Sequence, residues 1–164
     1  MHDLVLLRHG HALGSGEAGV SSDAQRPLSG RGITEASEAA QRLKAACFHP
    51  EIIIASPYLR AAMTANIAAK LFPGARRLTT DALSDGDAAG VIELLSGTDL
   101  RAGAGLLVVG HQPLLGALAG FFLAREPLSL SPAGYVRMET GEDGFASAPA
   151  GTLTEHYTPA GNSF

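Results

Sequence analysis

The chain has 164 residues, of which 46% are hydrophobic and 17% are charged, and its 20 glycines follow no period. This composition is typical of a globular protein and excludes a disordered or fibrous chain, and the length predicts a single domain over residues 1–164. The net charge of −4 argues against a nucleic-acid partner, which requires a broad basic surface. Cys47 is the lone cysteine, so the sequence excludes an internal disulfide, favours a reducing compartment and predicts core packing for this thiol.

Neither of the two most apolar regions reads as a targeting or membrane segment. The run 4–7 is too short for the apolar core of a signal peptide, and Arg8 ends it. The region 106–124 approaches the length of a bilayer span, but "GHQP" at 110–113 interrupts it. We therefore expect a soluble cytoplasmic protein with no membrane partner.

Strand and helix patterns alternate along the first 124 residues. Short continuous apolar runs at 4–7, 52–55 and 106–109 predict strands that are covered on both faces of a parallel sheet. Apolar residues at spacings of three and four predict a helix near 30–47, with a stripe from Ile33 to Cys47, and a second helix with Leu59, Met63, Ile67 and Leu71 on one face that stops at Pro73-Gly74.

Two further helices follow in the sequence. Val91, Leu94 and Leu95 mark a shorter helix whose N-cap is Asp85 or Asp87. Residues 113–124 are apolar all round, which predicts a buried helix in which Gly116 and Gly120 permit close packing.

The last forty residues change from this alternation to a hairpin pattern. Polar and apolar residues alternate over 135–139, and "TGEDG" at 140–144 has the composition of a turn before Phe145. The predicted fold is a three-layer α/β/α sandwich with a mostly parallel central sheet and a C-terminal antiparallel hairpin.

Charged side chains follow three of the predicted parallel strands. Arg8 and His9 follow the first strand, Arg60 lies in the first turn of the helix that begins at "SPYLRA", and His111 follows the strand 106–109. In "SPYLRA", Ser56 is the expected N-cap and Pro57 the expected first helical residue. Ligands bind at the carboxyl ends of parallel strands, and arginines beside helix N-termini suit an anion, above all phosphate.

These residue types predict phosphoryl transfer without a metal or another cofactor. Arg8, Arg60 and His111 supply positive charge around the phosphate oxygens, and His9 supplies a nitrogen that attacks phosphorus to form a phosphohistidine intermediate. The two arginines favour the neutral, nucleophilic ring of His9 by lowering its pKa.

The motifs "LRHG", "SPYLRA" and "VVGHQP", in this order, resemble those of the histidine phosphatase superfamily, which includes the phosphoglycerate mutases. The short length and "RPLSGRG" at 26–32 are most similar to the SixA-type phosphohistidine phosphatases, and the resemblance extends over about residues 4–113. It implies a phosphoglycerate mutase-like fold, His9 as the phosphorylated nucleophile and a phosphate pocket of Arg8, Arg60 and His111.

The same resemblance suggests roles for further residues. It implies Asp81 as the general acid, with Asp85 and Asp87 as substitutes, and it places Arg26 at the substrate or at the pocket rim, although a surface role is the simpler interpretation for an arginine before proline. Members of this type commonly carry an acidic residue where His11 stands, so "RHGHA" departs from the family pattern.

The expected activity is that of a phosphatase acting on a protein phosphohistidine, with a phosphohistidine-bearing signalling protein as substrate and small phosphate esters as the alternative class. A zinc hydrolase that uses His9, His11 and His111 is a second alternative, although Arg8 would repel the metal. A phosphate-binding module without turnover and a mutase are further alternatives. The mutase is disfavoured because no long insertion separates Ala55 from Leu106.

Overall fold

The computed structural model describes residues 1–141, 144–145 and 151–160, in which the strands form one sheet. The strands are β1 (His2–Arg8), β2 (Pro50–Ala55), β3 (Arg76–Thr79), β4 (Gly105–Gly110), β5 (Tyr135–Thr140) and β6 (Gly151–Tyr157). Their order in the sheet is β3-β2-β4-β1-β5-β6. Strands β1 to β4 are mutually parallel, whereas β5 runs antiparallel to both β1 and β6. The mostly parallel sheet and the C-terminal antiparallel hairpin are thus confirmed.

Helices cover both faces of this sheet. They are α1 (Ser15–Ala18), α2 (Gly30–Ala45), α3 (Leu59–Leu71), α4 (Asp81–Ser84), α5 (Ala88–Ser96) and α6 (Leu114–Leu123). Because successive strand residues point to opposite faces, Leu4 and Leu6 of β1 pack with α4, α5 and α6, whereas Val5 and Leu7 pack with α2 and α3. The chain is therefore a three-layer α/β/α sandwich, as predicted. Within the described part of the chain, no helix combines the length and the apolar character that a bilayer crossing requires.

The helix predicted near 30–47 is confirmed, and Ala36, Ala40 and Leu43 of its apolar stripe are buried, whereas the two ends of the stripe, Ile33 and Cys47, are exposed. Helix α2 ends at Ala45, and its core contacts come mainly from Ala36, Ala39, Ala40 and Leu43. Ile33 is 44% exposed. The prediction of core packing for Cys47 was wrong: the thiol is exposed because Cys47 lies beyond the end of the helix, at a positive φ of 59°.

Helix α3 begins later than predicted, and the face that it turns toward the core is not the predicted apolar stripe. It starts at Leu59, so Pro57 lies outside it, and Ser56 is not its N-cap. The Ser56 hydroxyl instead accepts a hydrogen bond from the backbone N–H of Tyr58 (3.2 Å) and contacts His111. The core-facing residues of α3 are small, and Ala61, Ala65 and Ala68 allow the helix to lie close to the sheet, whereas Leu59 is 39% exposed.

The remaining elements agree with the patterns, with two differences. Asp87, and not Asp85, caps α5 through a hydrogen bond from the backbone N–H of Gly90 (2.9 Å). Strand β3 was not predicted, because its residues are all exposed at the edge of the sheet. The turn predicted at 140–144 lies in part outside the described residues. Phe145, which lies between β5 and β6 along the chain, packs in the core.

Candidate active site

Strands β1, β2 and β4 lie side by side and end at the same edge of the sheet. Arg8 is in register with Gly110, and Ala55 is in register with Val109. The residues that follow each strand therefore meet in one place. They line a cavity of about 480 Å³ whose walls include Arg8, His9, Arg60 and His111. The structure thus brings together the four residues that the three sequence motifs contribute.

The ring of His9 is buried and held in one orientation. It is 9% exposed, and its Nδ1 lies 2.7 Å from the carbonyl oxygen of Gly10. A carbonyl oxygen can only accept, so Nδ1 carries the proton and Nε2 keeps its lone pair. The backbone N–H of Gly10 in turn donates to Oγ1 of Thr64 (3.1 Å), and the Thr64 hydroxyl donates to the carbonyl of Arg60 (2.8 Å). Helix α3 therefore fixes the loop that orients the His9 ring.

Burial and local charge keep His9 neutral. Desolvation is the largest cause of a pKa lowered to about 3, and the nearby His111, Arg60 and Arg8 lower it further, while the hydrogen bond to Gly10 opposes them. A neutral ring with a free Nε2 is the form of histidine that can act as a nucleophile.

His111 faces His9 across the cavity. Their ring centroids are 5.2 Å apart, and Nε2 of His111 lies 2.7 Å from the hydroxyl oxygen of Ser56. Burial lowers the pKa of His111 to about 4, with Arg60 and Arg8 acting in the same direction and Asp23 opposing them. The hydroxyl of Ser56, which is fully buried, therefore orients the His111 ring.

Two arginines supply the charge of the cavity. Arg8 donates from Nη1 to the carbonyl of Leu130 (2.8 Å). Arg60 is only 8% exposed, and its guanidinium lies 5.1 Å from the ring centroid of Tyr58. Burial, followed by the charge of Arg60, lowers the pKa of Arg8. Because a guanidinium remains charged in proteins, the two cations repel each other, and an anion bound between them would offset that repulsion.

Arg26 and His11 also line the cavity. Arg26 donates from Nε to the carbonyl of Leu13 (2.8 Å) and from Nη1 to the carboxylate of Asp23 (2.9 Å). Nδ1 of His11 lies 2.7 Å from the hydroxyl of Ser29, which also caps helix α2 by accepting from the N–H of Gly32 (3.0 Å). The rim position expected for Arg26 thus agrees with the geometry, and His11 extends the rim toward α2.

The structure does not bring Asp81 to the cavity. Asp81 is the exposed first residue of α4, and this helix contributes Ser84 to the wall instead. The carboxylate of Asp87 is engaged in capping α5. Asp85 lines a separate, neighbouring groove of about 400 Å³, which shares His111 and Gln112 with the cavity. None of the three acids that the sequence suggested therefore lies in the wall around His9.

The zinc alternative lacks a ligand set. Among the described residues, no three His, Cys, Asp or Glu side chains are grouped so that they could hold a metal ion, and His9, His11 and His111 are no exception. Nδ1 of His9 and of His11, and Nε2 of His111, are instead engaged with Gly10, Ser29 and Ser56.

Sequence reasoning missed two residues of the site. Asp23 reaches both Arg26 and Arg60, and Thr64 joins α3 to Gly10. The spacing between Asp23 and Arg26 does suggest an ion pair, but no pattern in the sequence indicates that the loop carries Asp23 onto α3. Thr64 lies outside the apolar stripe that the sequence suggested for α3, and it belongs to none of the three motifs.

Comparison with known proteins identifies the family of the chain. The model of the histidine phosphatase superfamily (branch 1) matches residues 4–90, more than half of the chain. An uncharacterized protein of Picosynechococcus sp. is 34% identical over 143 residues, which cover 85% of this chain and 86% of that protein.

Solved structures share the fold. The protein histidine phosphatase SixA, in a complex with tungstate, superposes with a TM-score of 0.81 at 24% identity, over 94% of this chain and 95% of that chain. A phosphoserine phosphatase of Entamoeba histolytica in complex with 3-phosphoglyceric acid gives a TM-score of 0.67 at 18% identity, over 98% of both chains. With the family match over residues 4–90, the chain belongs to branch 1 of the histidine phosphatase superfamily and is a phosphatase.

Proposed function

We propose that this protein is a metal-independent phosphatase that acts on a protein phosphohistidine through a covalent intermediate on His9. The observation that carries the proposal is the environment of His9: a buried, neutral ring with Nδ1 bound to Gly10, in a cavity shared with Arg8, Arg60 and His111. Histidine is then the nucleophile, and the cationic side chains stabilise the charge of the transferring phosphoryl group.

The reaction has two steps. Nε2 of His9 attacks phosphorus, a bond from phosphorus to Nε2 forms, and the bond to the leaving group breaks. Water then attacks the phosphorus of phosphohistidine, the bond to Nε2 breaks, inorganic phosphate leaves, and the neutral ring is restored. Arg8, Arg60 and His111 bind the phosphate oxygens in both steps, and Ser56 keeps His111 oriented.

The need of the leaving group for a proton favours a phosphohistidine substrate over a phosphate ester. Among the described residues that line the cavity, the one carboxylic acid is Asp23, and two arginines engage it. An alkoxide leaving group needs a proton from a general acid. A phosphoramidate nitrogen can take up a proton before the bond breaks, so that neutral imidazole leaves without an acid from the enzyme. To act as the general acid, Asp81 would have to move into the cavity. Its role in proton donation is therefore to be tested by substitution.

A direct assay tests the proposal. The purified protein is given a phosphohistidine peptide, a phosphoserine peptide of the same sequence and a sugar phosphate, each with and without a metal chelator. We expect the phosphohistidine peptide to be the best substrate and the chelator to have no effect. Zinc-dependent recovery of a chelator-inhibited enzyme would contradict the metal-independent mechanism, and equal turnover of all three substrates would contradict the substrate class.

The nucleophile is tested separately. His9→Ala should lower kcat by about 10³-fold or more, whereas His49→Ala, at an exposed position outside the cavity, should leave kcat unchanged. Rapid quenching with labelled substrate should yield a phosphoenzyme whose label is stable in alkali and released in acid, as expected of phosphohistidine. Undiminished turnover by His9→Ala would exclude His9 as the nucleophile.

The alternative substrate class is a small phosphate ester, which the open 480 Å³ cavity also admits.

The proposal further includes a single domain over residues 1–164, since both cores are built on the two faces of one sheet. It places the protein in the cytoplasm, where a lone exposed thiol such as Cys47 stays reduced, and its partner is a phosphorylated signalling protein.

A further inference from the structure

Asp23 places a carboxylate of the protein itself inside the cavity, at the edge of the phosphate pocket. It begins a 3₁₀ turn, Asp23–Gln25, that faces helix α3. Its Oδ1 accepts from Nη1 of Arg26 (2.9 Å), and its Oδ2 accepts from Nη2 of Arg60 (3.1 Å). Its backbone carbonyl also accepts from Nη1 of Arg60 (2.8 Å). One residue therefore bridges the two arginines.

Asp23 binds only some of the N–H donors of Arg60 and Arg26. A guanidinium has five N–H donors, and Asp23 takes one on Nη1 and one on Nη2 of Arg60, so three remain for other acceptors such as phosphate oxygens. Arg26 also uses two of its donors, because Nε is bound to the carbonyl of Leu13 and Nη1 is bound to Asp23. The hydrogen bond from Arg26 is the main reason that the pKa of Asp23 is lowered, and Arg60 adds to it. Asp23 is thus an anion at neutral pH.

A negative charge at this position affects substrates that carry a second acidic group. A carboxylate next to the transferred phosphate would seek a cation at the cavity rim, and Arg26 is the cation placed there beyond the pocket of Arg8 and Arg60. Asp23 already pairs with Arg26 and offsets its positive charge, and the charge of Asp23 repels an incoming carboxylate. A substrate with a neutral leaving group does not need Arg26 and avoids this repulsion.

We propose that Asp23 is a specificity-determining residue, whose carboxylate occupies the position between Arg26 and Arg60 that a second acidic group of a substrate would take. The enzyme thereby selects phosphoryl donors with a neutral or cationic leaving group, such as an imidazole, over phosphates that carry an adjacent carboxylate. This inference rests on the proposed phosphatase function and narrows its substrate class.

The experiment compares two substrates that differ by one charge. These are 4-carboxyphenyl phosphate and its methyl ester, 4-(methoxycarbonyl)phenyl phosphate, which place an acid or a neutral ester at the same distance from phosphorus. The measured quantity is the ratio of kcat/KM for the acid to kcat/KM for the ester. Asp23→Asn keeps the shape of the side chain and removes its charge, so we expect this ratio to rise about threefold at low ionic strength, because the Asp23 side chain is exposed, with a smaller rise in 0.5 M salt.

The control is Asp99→Asn, which removes a negative charge from an exposed position outside the cavity and should leave the ratio unchanged. If Asp23 only positions Arg60, its substitution lowers kcat/KM for both substrates equally, and an unchanged ratio would overturn the inference. A rise of the same size in Asp99→Asn would also overturn it, because the effect would then come from net charge.

A second measurement does not require turnover. Competitive inhibition by phenylphosphonate and by 4-carboxyphenylphosphonate is measured for the wild type and for Asp23→Asn, each checked by circular dichroism for folding. In the variant, the inhibition constant of the carboxylated compound should fall about threefold relative to that of the parent compound. Failure of the proposed function is a different result: the wild type would then hydrolyse the methyl ester no faster than His9→Ala.

Discussion

Nδ1 of His9 and the carbonyl oxygen of Gly10 lie 2.7 Å apart, so the residue that follows His9 in the chain also determines which nitrogen of the ring is free. Because the carbonyl holds the proton on Nδ1, Nε2 is unprotonated. Burial keeps the pKa near 3. We predict that long-range ¹H–¹⁵N spectra in phosphate-free buffer show the neutral Nδ1–H tautomer of His9 from pH 8 down to pH 5. An imidazolium spectrum for His9 above pH 5 would contradict this.

The same burial makes folding stability depend on pH. An unfolded histidine takes up a proton near pH 6.5, whereas His9 in the folded protein does so near pH 3. The unfolded state therefore binds more protons between these values, and the stability present above pH 6.5 is lost progressively as the pH falls toward 3. From pH 5.5 to 4, His9 should contribute a loss of about 1.4 kcal/mol of unfolding free energy per pH unit.

Urea unfolding of the wild type and of His9→Ala across this range measures that contribution. Carboxyl groups titrate in both proteins, so their effect cancels in the difference between the two slopes. We expect the slope of the variant to be smaller than that of the wild type by about 1.4 kcal/mol per pH unit. Parallel slopes would mean that His9 is protonated as readily in the folded protein as in the unfolded chain.

Thr64 is predicted to act on catalysis through Gly10. Thr64→Val removes the acceptor of the buried N–H of Gly10 and should cost about 1–3 kcal/mol of stability. Because Gly10 then loses its anchor on α3, kcat should fall roughly tenfold or more, with a smaller effect on KM. Thr64→Ser keeps the hydroxyl and should retain most of kcat. An equal loss of kcat in both variants would contradict the prediction, because Thr64→Ser keeps the hydroxyl that binds Gly10.

Gly32 is predicted to be required for the loop that carries His9 and His11. A Cβ at Gly32 would lie 2.0 Å from the carbonyl oxygen of His11, which is backbone and cannot be displaced without moving the loop. Gly32→Ala should therefore lower both stability, by about 1–3 kcal/mol, and kcat.

Gly30 provides a matched control in the same helical turn, since a Cβ there meets nothing within 4 Å. Gly30→Ala should retain full activity and remain within about 1 kcal/mol of wild-type stability. Thermal unfolding and steady-state kinetics of the two variants give the comparison. Wild-type kinetics in Gly32→Ala would show that the loop tolerates the displacement.

The sequence predicted the cluster of Arg8, His9, Arg60 and His111 because each follows a strand or begins a helix at one edge of a parallel sheet. A residue that follows such a strand in the sequence therefore lies at that edge in the structure. Asp23 could not be located in this way, because the path of the loop 13–29 is set by contacts such as Arg60 with the carbonyl of Asp23, and not by any periodicity.

The buried face of α3 was harder to predict for a related reason. Hydrophobic periodicity gives most weight to large side chains, so Leu59 was expected to face the core. In α3 the small residue Ala65 lies against the sheet instead, because short side chains permit close packing. In α2, Ala40 of the predicted stripe is buried, whereas Ile33 at its start is exposed. Edge strand β3 escaped prediction since its residues, which include Arg76 and Arg77, carry no apolar alternation.

The order of strands has a consequence for when the site can exist. Strand β4 lies between β1 and β2 in the sheet, although it follows both of them in the chain by about fifty residues or more. Residues 4–90, the segment matched by the family model, include Arg8, His9 and Arg60 but not the strand that separates β1 from β2. The cavity is therefore complete only when Gly105–Gly110 occupies the central position of the sheet and brings His111 with it.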